Sequence, residues 1–128
     1  MKKKYLIVIA DYYKDISLGL LKSAKDTLPK SSLIKVINVP GVFEIPVTIS
    51  NNIRKYDGFL ALGCVIKGQT PHFDFISQAS TDAIMKLSIE YKKPIGNGII
   101  TCLNMKQAIA RKKKGREAAK AVLSVLTQ

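Results

Sequence analysis

His72 is the only histidine among 128 residues, and it stands in "CVIKGQTPHFDFIS", Cys64 to Ser77, just after an apolar run and a glycine turn. An imidazole in such a place can take up and return a proton, the work of a general base. It can equally do no more than cap or solvate the start of a helix. With one histidine and no CxxC pair, a catalytic zinc site lacks ligands, so no metal is expected. Gly68 permits a turn, Pro71 suits an early helical position, and a helix is predicted to begin near Phe73. The amides of Gln69 and Thr70 should then point outward as unpaired donors at the positive end of that helix, an arrangement that holds anions such as phosphate.

Three other stretches carry candidate chemistry. "VPGVFEIPV", Val39 to Val47, places Phe43 and Glu44 after a Pro-Gly turn. Phe43 is either a core residue or an aromatic face for a ligand; Glu44 is either a favourable charge in a helix's first turn or a carboxylate for a polyhydroxylated or heterocyclic molecule. "GNGIITCLN" sets glycines around Asn97 inside a strand, where they mark close approach by another backbone or a ligand. "QAIARKKKGRE" crowds Arg111, Lys112, Lys113, Lys114 and Arg116 around Gly115. That segment is either a solvated turn or the seat of Arg111, whose planar fork can grip a phosphate.

The elements that must position these residues follow from periodicity. Runs rich in Val, Ile, Leu and Tyr recur at Lys4 to Ala10, Leu33 to Val39, Gly58 to Ile66 and Ile95 to Leu103. They are nearly continuous, which predicts strands buried on both faces. Helical stripes lie between them: Ile16, Leu20, Leu21, Ala24 and Leu28, then Ile76, Ala79, Ala83, Ile84, Leu87 and Tyr91, with a shorter helix expected from Phe43 to Ile53. "MKQAIAR" and "GREAAKAVLSVL" close the chain, the latter with Ala118, Val122 and Val125 on one face. This alternation predicts an α/β three-layer sandwich with a four-stranded parallel sheet of flavodoxin-like order 2-1-3-4. The first and third strands are then neighbours at a switch point, where such sheets bind ligands beyond the strands' carboxyl ends. The loops there carry Tyr12 and Tyr13, and Lys67 to His72.

Composition narrows the classes. A chain with 47% hydrophobic residues and no low-complexity tract is expected to fold as a single domain over residues 1–128. The opening "MKKKYLIVIAD" imitates a signal peptide, but Asp11 cuts its apolar run and it reads as a first strand. No stretch approaches the roughly 20 apolar residues of a membrane span, and Cys64 and Cys102 lie in apolar runs without metal-ligand spacing. A soluble, cytoplasmic protein is expected, with no membrane partner. The net charge of +12 raises the question of nucleic acid. Arginine occurs only at Arg54, Arg111 and Arg116, and the lysines are not interleaved with aromatics, which favours a solvated basic surface and no nucleic-acid partner.

Taken together, "VPGVFEIP", "GCVIKGQTPHFD", "GNGIITCLN" and "QAIAR" resemble the 6,7-dimethyl-8-ribityllumazine synthase family, in matching order from the first strand to the last helix. The resemblance implies a transferase of riboflavin biosynthesis that joins 5-amino-6-(D-ribitylamino)uracil to 3,4-dihydroxy-2-butanone 4-phosphate, releasing phosphate and water, with no cofactor. It implies that Tyr12 stacks on the pyrimidine in place of the family's usual phenylalanine, that Phe43 and Glu44 meet the ribityl chain, and that the backbone at Val65 and Ile66 addresses the ring edges. Gln69 and Thr70 would cradle the phosphate with Arg111 and Lys114, and His72 would transfer protons.

The same resemblance implies a homopentamer, alone or in larger assemblies, with sites between subunits. By the same resemblance Asn97 would bind the ribitylaminouracil, at a position that in many members is a phenylalanine contributed by a neighbouring subunit. Two departures stand out: the segment from Arg111 to Gly115 is shorter than the family's loop, and the chain opens almost at the first strand, which favours free or paired pentamers over a shell. Two other classes compete with the enzyme: a flavin or lumazine carrier that keeps the pocket without turnover, and a basic RNA-binding module.

Overall fold

Each long apolar run becomes a strand, and all the pairings are parallel. The structure is a computed structural model describing residues 2–128. Strands β1 (Lys4–Ala10), β2 (Leu33–Val39), β3 (Gly58–Ile66) and β4 (Ile95–Cys102) form one sheet of order β2-β1-β3-β4. Between and after them run helices α1 (Lys14–Thr27), α2 (Ile45–Asn52), α3 (His72–Tyr91), α4 (Met105–Ala110) and α5 (Gly115–Leu126), with a short 3-10 turn at Val42–Glu44. The expected α/β sandwich and strand order are therefore present. β1 pairs with β2 from Lys4 opposite Leu33 to Ala10 opposite Val39, and with β3 from Tyr5 opposite Gly58 to Ile9 opposite Leu62.

Side chains alternate across each strand, so the sheet builds two cores. On one face Ile7, Ile9, Leu60 and Leu62 pack with Ile16, Leu20 and Ala24 of α1 and Ala118, Ala119 and Val122 of α5. On the other, Leu6, Val8, Phe59 and Ala61 pack with Ile45 and Ile49 of α2 and Ile84 of α3. Each fully buried aliphatic side chain stabilises the fold by about 1.5–3 kcal/mol relative to exposure. Burial on both faces holds for β1 and β3 alone. β2 and β4 are edge strands whose Lys35, Asn38, Asn97 and Thr101 reach solvent.

Two helical stripes also differ from expectation. Ala79 is exposed, since the sheet-facing strip of α3 runs through Ile76, Ser80, Ile84, Leu87 and Tyr91. Val125 is exposed because α5 rests on Gly115, Ala118, Ala119 and Val122, a strip that Leu126 continues. α3 ends on Lys92, held in the left-handed region at φ 55°, and the Lys93 ammonium donates to the Ile53 carbonyl at 2.7 Å. No helix among the described residues is long and apolar enough to cross a membrane.

The glycines of β4 do what their place in a strand suggests: they let a helix come close. A Cβ at Gly96 would collide with the Ala118 carbonyl oxygen of α5, and one at Gly115 with the Leu20 carbonyl oxygen of α1. Gly68 is different. It has no positive φ, and a Cβ there would meet nothing within 4 Å, so the turn after β3 does not depend on glycine's conformational freedom. Gly96→Ala should lower the unfolding free energy by about 1–3 kcal/mol or more, the usual cost of overpacking. Gly68→Ala should stay within about 0.5 kcal/mol, as open surface changes do. Urea denaturation reads both, and equal effects would contradict this account of helix approach.

Candidate active site

The cavity at the switch point is built from three loops. After β1, the Ser17 hydroxyl donates to the buried Ala10 carbonyl at 2.8 Å, and the Asp11 amide donates to the Val39 carbonyl at 3.2 Å. These bonds fix where the chain leaves the sheet. Tyr13 follows as the N-cap of α1, its carbonyl accepting from the Ser17 amide at 2.9 Å. The Tyr13 ring packs on the core, whereas Tyr12 is 74% exposed. The two rings meet edge to face, centroids 4.9 Å apart and planes at 84°.

The second wall is the 3-10 turn after β2. Val42 sinks into the core there, which turns Phe43 outward to 65% exposure and leaves Glu44 half-buried at the start of α2. Phe43 is thus not a core residue. The third wall is the end of β3, where Val65 and Ile66 become half-buried and the chain turns into α3 at His72, one residue before the predicted start. Tyr12, Phe43, Glu44, Val65, Ile66 and His72 all line one cavity of about 700 Å³. Tyr13, Gly41, Val42, Cys64 and Ile76 complete it. Of these, Tyr13 carried a signal, an aromatic pair at a strand end; Cys64 reads as one more apolar residue of a strand.

The remaining predicted residues do not line this cavity. Gln69 and Thr70 are exposed, and among the described residues their amides donate to no backbone carbonyl. The Thr70 hydroxyl sits 3.5 Å from the His72 amide. Arg111 caps the C-terminus of α4, and its guanidinium donates to the Thr101 carbonyl at 3.3 Å and approaches the Cys102 sulfur at 4.0 Å. Cys102 pairs with Ile66, so Arg111 lies at the same end of the sheet as the 67–71 loop. Lys114 instead pairs with Glu117 at 3.1 Å and lines, with Arg111, a separate depression of about 300 Å³. Asn97 lies in the first half of β4, exposed, its side-chain oxygen accepting from the Ile99 amide at 3.0 Å. Among the described residues no three of His, Cys, Asp and Glu converge in a way that could hold a metal ion.

A parallel α/β sandwich that brings an imidazole, a carboxylate and aromatic rings together at its switch point is the frame of a small-molecule site of flavodoxin-like topology. The sequence makes the class specific. Residues 2–128 match the family described as 6,7-dimethyl-8-ribityllumazine synthase, and the chain belongs to that family. It is 42% identical over 140 residues to the 6,7-dimethyl-8-ribityllumazine synthase of Agrobacterium fabrum (strain C58 / ATCC 33970), covering 98% of this chain and 95% of that relative. The protein of the same name from Bartonella bacilliformis is 43% identical over 131 residues, covering 94% and 86%. That of Rhodopseudomonas palustris (strain BisA53) is 42% identical over 134 residues, covering 94% and 82%.

Two groups at the cavity floor have altered acidity. Burial, with the neighbouring Cys102 in second place, pushes the Cys64 thiol up to about 12 from its ordinary value of 9.0. Burial also raises the Tyr13 phenol, helped by Cys64 and Tyr12. A neutral Cys64 is therefore part of the folded state. Its stabilising contribution is complete below the unfolded thiol's value, near pH 9, and is lost as pH rises toward 12. Iodoacetamide at pH 8 should leave Cys64 unmodified in the folded protein and label it in urea, read by mass spectrometry of the peptides. Rapid labelling without urea would overturn the buried, neutral thiol.

Proposed function

We propose that the chain is the transferase its family describes: it condenses 5-amino-6-(D-ribitylamino)uracil with 3,4-dihydroxy-2-butanone 4-phosphate to give 6,7-dimethyl-8-ribityllumazine, phosphate and water, as one domain spanning the chain. The observation that carries the reading is the convergence of Tyr12, Phe43, Glu44, Val65, Ile66 and His72, drawn from three separate loops, on one cavity. In this reading Tyr12 stacks on the pyrimidine, Phe43 and Glu44 hold the ribityl chain, and the ends of Val65 and Ile66 read the ring edges. Gln69 and Thr70 offer their unpaired amides to the phosphate, with Arg111 supplying a charge-assisted clamp. Lys114 joins it once released from Glu117.

The ring amine attacks the ketone, an imine forms with loss of water, phosphate leaves by elimination to an enol that tautomerises to a ketone, and the second amine closes the ring on that carbonyl with loss of a second water. His72 takes and returns protons through these steps. Holding two reactants in register supplies much of the acceleration. The active unit is a cytoplasmic homopentamer with sites between subunits. Two features support the assembly: Asn97 is exposed on an edge strand, and Phe75, Met85 and Ile89 leave an apolar strip exposed along the outer side of α3. Light scattering that finds a stable monomer would remove the shared site.

Turnover is followed by the absorbance of the lumazine against the uncatalysed background, and no rate above background would remove the enzyme reading. His72→Ala should lower kcat by roughly tenfold to a hundredfold without abolishing it, because positioning survives. Arg111→Ala should raise KM for the phosphorylated ketone by about tenfold or more, the worth of a charged hydrogen bond, and leave KM for the pyrimidine unchanged. Equal losses with the dephosphorylated ketone would contradict the Arg111 assignment.

A further inference from the structure

Tyr12 presents an unusual problem for a stacking residue. Its ring is 74% exposed, and no hydrogen bond from its hydroxyl ties it down among the described residues, so the loop backbone alone cannot fix the plane of the ring. The one aromatic contact it has is the edge-to-face pairing with Tyr13, at 4.9 Å and 84°. Tyr13 is held in two ways: as the N-cap of α1 its carbonyl accepts from the Ser17 amide, and its ring packs on the core cluster that includes Ile16, Cys64 and Leu62. It also lines the same cavity.

We infer that Tyr13 is a positioning residue for the pyrimidine: its core-anchored ring holds Tyr12 at the plane in which Tyr12 stacks on the substrate, and so sets affinity for the ring-bearing reactant alone. The inference rests on the reading of Tyr12 as the stacking residue. Edge-to-face pairs draw the positive rim of one ring to the negative face of the other, which defines an angle as well as a distance. An aliphatic side chain of similar bulk fills the same space and defines no angle. The ring is thus the operative group, and the hydroxyl is not.

The test measures KM for each substrate separately in Tyr13→Leu, Tyr13→Phe and Tyr12→Ala, with urea denaturation as the control for folding. Tyr13→Leu should raise KM for the pyrimidine roughly three- to tenfold, the span of such pair energies, and leave kcat and KM for the phosphorylated ketone unchanged. Tyr13→Phe should behave as the unaltered protein. Should Tyr13→Leu not fold, Tyr13→Met offers a more adaptable unbranched chain without a ring, and fluorescence titration with the lumazine product reads affinity without turnover. An unchanged pyrimidine KM in Tyr13→Leu would overturn the inference, as would a Tyr13→Phe as weak as Tyr13→Leu, which would mark a hydroxyl contact instead. If Tyr12→Ala itself leaves pyrimidine KM unchanged, the stacking role of Tyr12 has failed; if it raises KM while Tyr13→Leu does not, only the role of Tyr13 has.

Discussion

The parallel pairing of β1 with β3 is the constraint on which the rest depends. The two strands are adjacent in the sheet but are separated in sequence by β2, so their outgoing chains depart to opposite faces: α1 packs on one core and α3 on the other. Neither helix can close the space above the strand ends. The cavity is therefore a consequence of topology, present before any particular side chain is chosen. What the sequence adds is the set of residues at the three chain exits. Tyr12 and Tyr13 leave β1, Phe43 and Glu44 arrive from the turn beyond β2, and His72 opens the helix after β3.

A second constraint acts on the opposite margin. α5 can settle on β4 only because Gly96 carries no side chain, and against α1 only because Gly115 carries none. That double contact draws the α4–α5 corner in toward the sheet and leaves Arg111 at the C-terminal end of β4, against Thr101 and Cys102. The short segment between Arg111 and Gly115 reinforces this, since few residues separate the arginine from a glycine fixed by packing. The lysines around it are solvated, and their few ion pairs with Asp15 and Glu117 are surface contacts of small worth. Their sign still gives that corner a positive potential, where a phosphate would be drawn.

Most of this was legible in the sequence wherever a residue's surroundings follow from its own segment. The four apolar runs gave four strands within a residue of the expected ends, and their alternation with helical stripes was enough for the order 2-1-3-4. Legibility failed where surroundings depend on which element lies alongside. Lys35, Asn97 and Thr101 are exposed because β2 and β4 are at the edges, a fact about neighbours that a run of apolar residues does not carry. Phe43 could not be assigned to core or surface until Val42 was seen to take the buried place in its turn. Cys64 is a strand residue by pattern and a cavity-lining residue by location, because it is buried in the core immediately before Val65 and Ile66, where the cover of β3 gives out.

The composition of the cavity bears on how catalysis is divided. Apart from the phenols, its ionisable side chains in reach of a bound ligand are Glu44 and His72; Cys64 is held neutral by burial. One well-placed general base supplies about 10²–10⁴ in rate. Orienting two reactants as near-attack partners can supply more, with effective molarities of roughly 10⁵–10⁸ M. The fold is consistent with that division: a single imidazole stands on an exposed helix start, while the loops that carry the exposed rings of Tyr12 and Phe43 are anchored to the core through Ser17, Tyr13 and Val42. The backbone that shapes the cavity walls is thus anchored by packing, and in the proposed reaction the orientation of the substrates would rest on those walls, with proton transfer assigned to an imidazole at a solvent-exposed helix start.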